Sequence, residues 1–309
     1  MELTVLDNAS DDATPDVVKR FQERWPLLKY QRNLVNLGGN PNYLRALEVG
    51  DSTYCWVIGD DDKWFLDDLS ELIWVLNAGH ADVIRLGWLV SEEERGEIFT
   101  IAELACGENL FFASVSMISS VIVKRSLLTA SIPESYLTIG DAYPQLVPFF
   151  KNAMSADLTV YSLSKGLMTH TPNPESGYFM SDLEWIACYC RSIRFLESAS
   201  LKDKVSRELM AYLAGIFPRF PRIIFSLCIL LYFGIKSKAY GFDQLPYLLT
   251  IIGYSRMLRP AAICTAIIYV LTPVWLIRVL VSRARGRAGL SPDLDLAREE
   301  FLAGRRKRL

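Results

Sequence analysis

Between residues 2 and 88 one pattern recurs three times: a short apolar run, a polar turn rich in Asp and Asn, and a stretch of helical period. No other feature restricts the chain as much. Strand, turn and helix in succession predict an α/β fold, with a mostly parallel sheet and helices on its faces. Residues 2–6 (ELTVL) read as a strand running into Asp7-Asn8-Ala9-Ser10-Asp11-Asp12. Thr14-Pro15-Asp16 then opens a helix with Val17, Val18, Phe21 and Trp25 as its apolar face, ended by Pro26. Residues 28–35 form a second strand, followed by a Gly- and Asn-rich turn and a helix from about Tyr43 to Val49. The third apolar run, Tyr54 to Ile58, stops at Gly59-Asp60-Asp61-Asp62. A helix from Phe65 to Leu76, with Asp67 and Asp68 in its first turn, and a strand from Ala81 to Trp88 complete the series.

In sheets of this kind ligands bind beyond the carboxyl ends of the strands, where Asp7 and Asp60–Asp62 fall. Three adjacent carboxylates repel one another unless a positive charge sits among them. A hard divalent cation answers that need, because it takes one or two carboxylates and leaves its other positions to phosphate oxygens. Alternation along an extended strand puts Asp60 and Asp62 on one side and Asp61 on the other. Asp7 is placed to accept from a ribose hydroxyl or a base N–H, or else to close a turn or cap a helix. His170 is either a further metal or phosphate contact or a plain loop residue, and His80 lies in a turn.

Charge divides the chain. Residues 1–200 hold 28 acidic and 15 basic side chains, whereas residues 201–309 hold 7 acidic and 18 basic. Two uncharged runs, Ile223–Ile235 and Ala261–Ile277, lie in the basic part. As helices they would be about 20 and 25 Å long, short of the ~30 Å hydrocarbon core of a bilayer. Arginines flank the second run on both sides. Helices lying in the membrane interface, or a shallow hairpin, fit this better than a span; core helices of a soluble domain are the other reading. The expected division is an α/β domain over 1–200 and a helical, basic, membrane-associated region over 201–309. The opening residues have neither a basic n-region nor an apolar h-region, so the front is expected in the cytoplasm. Nucleic acid is disfavoured as a partner, since the basic residues flank apolar runs instead of forming an aromatic-interleaved groove. The six Cys and two His show no zinc spacing, and Cys188 and Cys190 are too close along a helix to bridge easily.

VLDNASDD, followed by NLGGNPNYLRALEVGDSTYCWVIGDDD, resembles the nucleotide-binding half of inverting family 2 glycosyltransferases of the GT-A fold. The WVIGDDD form is most similar to the O-antigen, abequosyltransferase-like type. The resemblance implies that residues 1–200 are the nucleotide-sugar-binding and catalytic domain, and that Asp7, with Asn8, contacts the nucleoside. Asp60 would lie at the ribose and the metal, and Asp62 would hold Mg²⁺ or Mn²⁺ against the diphosphate. Such enzymes place an acidic base at a helix start, which is the position of Asp141 after Gly140; Glu134 is the second choice. The family pattern normally opens with a further strand and helix that nothing before residue 2 supplies here, so one central strand is expected to be missing.

The implied function is transfer of a sugar, with inversion, from a nucleoside-diphosphate sugar to a lipid-linked glycan. The place would be the cytoplasmic face of the cell membrane, in cell-surface polysaccharide synthesis. The alternative is a non-catalytic, degenerate scaffold of the same fold. A nucleotidyltransferase is disfavoured, because no Gly-rich basic phosphate loop is present.

Overall fold

The computed structural model describes residues 2–60, 62–140, 143–169, 182–216, 225–239 and 243–287. The chain forms two compact units, Met1–Thr171 and Pro172–Leu309.

In the first unit β1 (Thr4–Asp7) leads to α1 (Thr14–Arg24), β2 (Lys29–Arg32) and α2 (Gly39–Glu48). Then come β3 (Tyr54–Cys55), β4 (Lys63–Trp64), α3 (Ser70–Ala78) and β5 (Val83–Arg85). The remainder runs β6 (Ile98–Thr100), α4 (Ile101–Cys106), α5 (Phe111–Val115), β7 (Val121–Lys124), α6 (Arg125–Thr129), α7 (Ile132–Leu137), α8 (Val147–Lys151), β8 (Thr159–Ser162) and β9 (Met168–Thr169). Local chemistry sets several of these bounds. Asp12 accepts from the Thr14 amide just before α1, where Pro15 fits the first turn. Asp68 accepts from the Ser70 amide ahead of α3, so it precedes that helix instead of lying in its first turn. Thr100 and Glu103 close a capping box on α4.

The strands fall into three sheets. β1 pairs with β2 in parallel, and β4 with β9 antiparallel. A five-stranded sheet has the order β3-β7-β5-β8-β6. Only β5–β8 is parallel within it; β3–β7, β5–β7 and β6–β8 are antiparallel. The sheet is therefore mixed, which corrects the mostly parallel expectation. Buried apolar runs such as Val121–Val123 read alike in either direction, so periodicity carries no information about strand polarity. β1 and β3 each pair with one strand, and among the described residues no strand pairs with both.

Under the sheet Leu72 and Val75 of α3 meet Ile84, Leu86, Ile122, Leu163 and Met168 in one core, with Trp56, Trp64 and Trp88 at its margin. Removing a side chain such as Ile84 from this cluster would cost about 2–5 kcal/mol.

The second unit is helical: α9 (Asp182–Ser192), α10 (Ala199–Ile216), α11 (Phe225–Ala239), α12 (Leu245–Tyr254), α13 (Arg259–Leu271) and α14 (Val274–Arg287). α9 belongs to it and packs on α12. This moves the boundary from 200 to 171/172, because apolar packing, not surface charge, decides which unit a helix joins. Cys188 and Cys190 are buried in α9 and unbridged, and burial pushes the Cys190 thiol up to about 12. No single described helix is long and apolar enough to cross a membrane; α13 and α14 meet that test together but are bent by 103°.

Candidate functional site

Asp7 is the last residue of β1 and is 3% exposed. Its register partner across the parallel pair is Arg32, with Tyr30 two residues earlier on the same face. Tyr30 donates its hydroxyl to Asp7 Oδ2 at 2.5 Å, Arg32 Nη1 donates to the same oxygen at 3.0 Å, and the Ser10 amide donates to Oδ1 at 2.8 Å. Burial alone would push the carboxyl up. The bonds from Ser10 and Tyr30 and the Arg32 charge outweigh it and hold Asp7 below the usual carboxylate range. An ionised carboxylate is thus fixed at a strand end. Ala9, two residues on, has φ 63, an uncommon conformation for a side chain with a Cβ.

Asn8 points into an asparagine network. Its Oδ1 accepts from Asn33 Nδ2 at 2.9 Å and from the Leu37 amide at 3.0 Å, and its Nδ2 donates to Asn36 Oδ1 at 2.8 Å. Asn33 also donates to Asn42 Oδ1 at 2.9 Å. These bonds tie the turn after β1 to the Gly38 turn that opens α2. Asn33 is buried, and its Oδ1 has no partner among the described residues.

The second strand-end feature is the loop Gly59–Asp62. Only Tyr54 and Cys55 of the expected strand 54–58 are β structure. Residues 56–60 are irregular, so the alternation argument does not place Asp60 and Asp62 on one side. The loop is nonetheless anchored at both ends. Before it, the Gly59 amide donates to Ser119 Oγ at 2.8 Å and Trp56 Nε1 donates to the Ser119 carbonyl at 3.2 Å. After it, Lys63 and Trp64 pair with Thr169 and Met168, and the Phe65 amide reaches the Leu167 carbonyl at 2.8 Å. Trp56 and Trp64 meet edge to face at 5.1 Å. Asp60 is exposed and Asp62 half-buried. Asp61, Asp141 and His170 lie outside the described residues. Among the described residues no group of three His, Cys, Asp or Glu side chains forms a cation cage. Asp60 and Asp62 nonetheless supply two carboxylates on one short loop, the donor type that a hard cation takes.

Glu134, the second choice of base, is paired with Lys151, whose hydrogen bond holds its pKa below the ordinary carboxylate value. Such a pairing favours a structural part for it.

Loops after the parallel strands β5 and β8 lie against each other. The Leu167 amide donates to the Leu86 carbonyl at 2.9 Å. A Cβ on Gly87, whose φ is +104, would stand 2.3 Å from Gly166 Cα. At the end of β5, Arg85 is buried with Glu94 at 2.8 Å and also donates to Ser114 Oγ at 3.1 Å and the Leu89 carbonyl at 3.2 Å. Sequence reasoning missed Tyr30, Arg32, Asn33, Arg85 and Ser119. Only the Tyr30/Arg32 spacing of two, opposite Asp7, was a usable signal.

Residues 1–114 match the family described as Glycosyl transferase family 2. The front of this chain is thus similar to family 2 glycosyltransferases over those 114 residues. Both strand-end features, Asp7 and Asp60–Asp62, lie inside that match. Abequosyltransferase RfbV of Salmonella typhimurium is 33% identical over 195 residues, which cover 54% of this chain and 56% of that protein. The chain thus spans little more than half the length of that curated relative. Among solved structures, TarS residues 1–349 of S. aureus with UDP gives a TM-score of 0.52 at 17% identity, covering 92% of this chain and 82% of that one. The same protein with UDP-GlcNAc gives 0.53 at 16% identity, covering 94% and 83%. The fold is accordingly a GT-A-like glycosyltransferase fold with a mixed sheet and many helices.

Proposed function

We propose that the chain transfers a sugar, with inversion, from a nucleoside-diphosphate sugar to a lipid-linked glycan at the cytoplasmic face of the membrane, in the making of a cell-surface polysaccharide. The observation that carries this reading is the buried, ionised Asp7 at the end of β1, inside the family 2 match. Asp7 and the Asn8 network hold the nucleoside. Asp60 and Asp62 would hold Mg²⁺ or Mn²⁺. When bound, that cation neutralises charge on the departing diphosphate. Asp141 takes the proton from the acceptor hydroxyl as its oxygen attacks the anomeric carbon and the bond to the diphosphate breaks. The lipid-linked acceptor accounts for a basic, apolar C-terminal region that associates with anionic lipid.

Calorimetric titration of UDP, GDP, CDP and dTDP, each with and without Mn²⁺, tests the reading. One nucleotide should bind, require the cation, and lose both binding and transfer in Asp62→Ala, while the melting temperature stays the same. Binding by none of them would favour the non-catalytic scaffold, a reading served by the separation of β1–β2 from the larger sheet.

A further inference from the structure

We infer that the corner between α13 and α14 is a wedge that enters one leaflet of an anionic bilayer, with Leu271 and Trp275 at its tip. This rests on the membrane-associated reading above and gives it a place and a depth.

The first argument is which faces are covered. α13 buries Ala262, Thr265 and Tyr269 against its neighbours. Its opposite side carries Ile263, Ile267 and Leu271, all exposed. A helix with one buried face normally shows charge on the other. Here residues 260–277 contain no charged side chain. Past the corner, Val274, Trp275 and Leu276 are also exposed. Continuous apolar surface of this kind marks a contact with something other than water.

The corner is also built, not frayed. Pro273 lacks the N–H that would reach the carbonyl of Tyr269 four residues back. Lys238 of α11 supplies the missing donor: its ammonium bonds the Tyr269 carbonyl, and the Thr272 carbonyl at 2.8 Å. A cation on the last carbonyls also complements the end of the helix dipole. Thr272 Oγ1 donates back to the Ile268 carbonyl at 2.7 Å. The chain turns there by 103°, and Leu271 and Trp275 stand 74% and 67% exposed at the tip.

Two arms of about 20 Å meeting at that angle reach about 15 Å deep, half of a ~30 Å hydrocarbon core. The tip therefore stays within one leaflet. Charge identifies the occupant. Arg256 and Arg259 are exposed at one end of the run; past the other end Arg278 is half-buried and Arg283 exposed, and these cations match lipid phosphates, Arg278 by reaching up along its long side chain. A second copy on the same face would bring like arginine rims together, which a symmetric contact disfavours.

The chain of residues 1–309 is mixed with vesicles of phosphatidylglycerol and phosphatidylethanolamine, or of phosphatidylcholine alone, and sedimented. Binding to the anionic vesicles should be at least tenfold tighter. The double variant Leu271→Glu, Trp275→Glu should weaken it tenfold or more with the same circular dichroism melt. Independently of any destabilised variant, lipids brominated along the acyl chain should quench Trp275, read as the difference between the chain and Trp275→Phe. Vesicle binding without that quenching overturns the wedge and leaves the membrane reading standing. Failure of the unmodified chain to bind any vesicle sinks both. A dimer in sedimentation velocity that the double variant abolishes, with vesicle binding unchanged, assigns the face to a second copy and overturns the proposal.

Discussion

Asp7 is buried and accepts three hydrogen bonds, and its pKa lies below the ordinary carboxylate value. Its contribution to stability is therefore present above about pH 4 and lost as pH falls through its lowered native value. Asp82 behaves likewise: burial pushes it up, but the Thr159 amide and Lys124 outweigh that and hold it low. The melting temperature should be flat from pH 7 to 5 and drop below about pH 4. Asp7→Asn should lower it at neutral pH and flatten part of the acid limb, as thermal melts across pH would show. Tyr30→Phe should cost about 1–2 kcal/mol in urea unfolding, since it strips a hydrogen bond to a buried charge. Asp7, Asp60 and Asp62 were visible in the sequence because carboxylates at the ends of apolar runs are conspicuous. Their supports were not. Tyr30 and Arg32 look like ordinary strand residues until the register puts them opposite Asp7, and Ser119 lies 60 positions from the Gly59 it holds.

Helices and strands were easier to find in the sequence than the direction in which they run or what covers them. Helix α1 starts at Thr14 as read, yet Val17 and Phe21 of its expected apolar face are exposed and Val18 is buried. A two-stranded sheet offers too little surface to cover them. Strands 54–58 and 81–88 shorten to β3 and β5, because the residues beyond bend away to make loops. The most constrained of these loops follow β5 and β8. Gly87→Ala would force a Cβ against the Gly166 backbone in a left-handed conformation. We expect a loss of at least about 2 kcal/mol by chemical denaturation. Arg85→Met should cost about 3–5 kcal/mol by stranding the buried Glu94, and Arg85→Met with Glu94→Leu should recover part of that. A double variant no more stable than Arg85→Met would mean that the bonds to Ser114 and Leu89, not the ion pair, carry the effect.

For the whole molecule, the sequence showed two regions by charge, and the structure divides the chain by packing, at 171/172. A ligand bound only by the folded state adds about 2.7 kcal/mol at one hundred times its dissociation constant, and the proposed nucleotide should raise the melting temperature accordingly. Asp7 and its partners stand on β1–β2, a two-stranded ribbon that no hydrogen-bonded ladder joins to the five-stranded sheet among the described residues. Pairs of strands this short are marginal unless something holds them. The ribbon should therefore open on its own more often than β5 or β8, and its amides should exchange with solvent faster than theirs. If the closed ribbon is the form that takes nucleotide, each open molecule is unavailable, and the measured affinity is the intrinsic one reduced by the closed fraction. Nucleotide would then slow exchange at Val5 and Tyr30 far more than at Ile84, so that occupancy of the donor site is written in the amides of two strands.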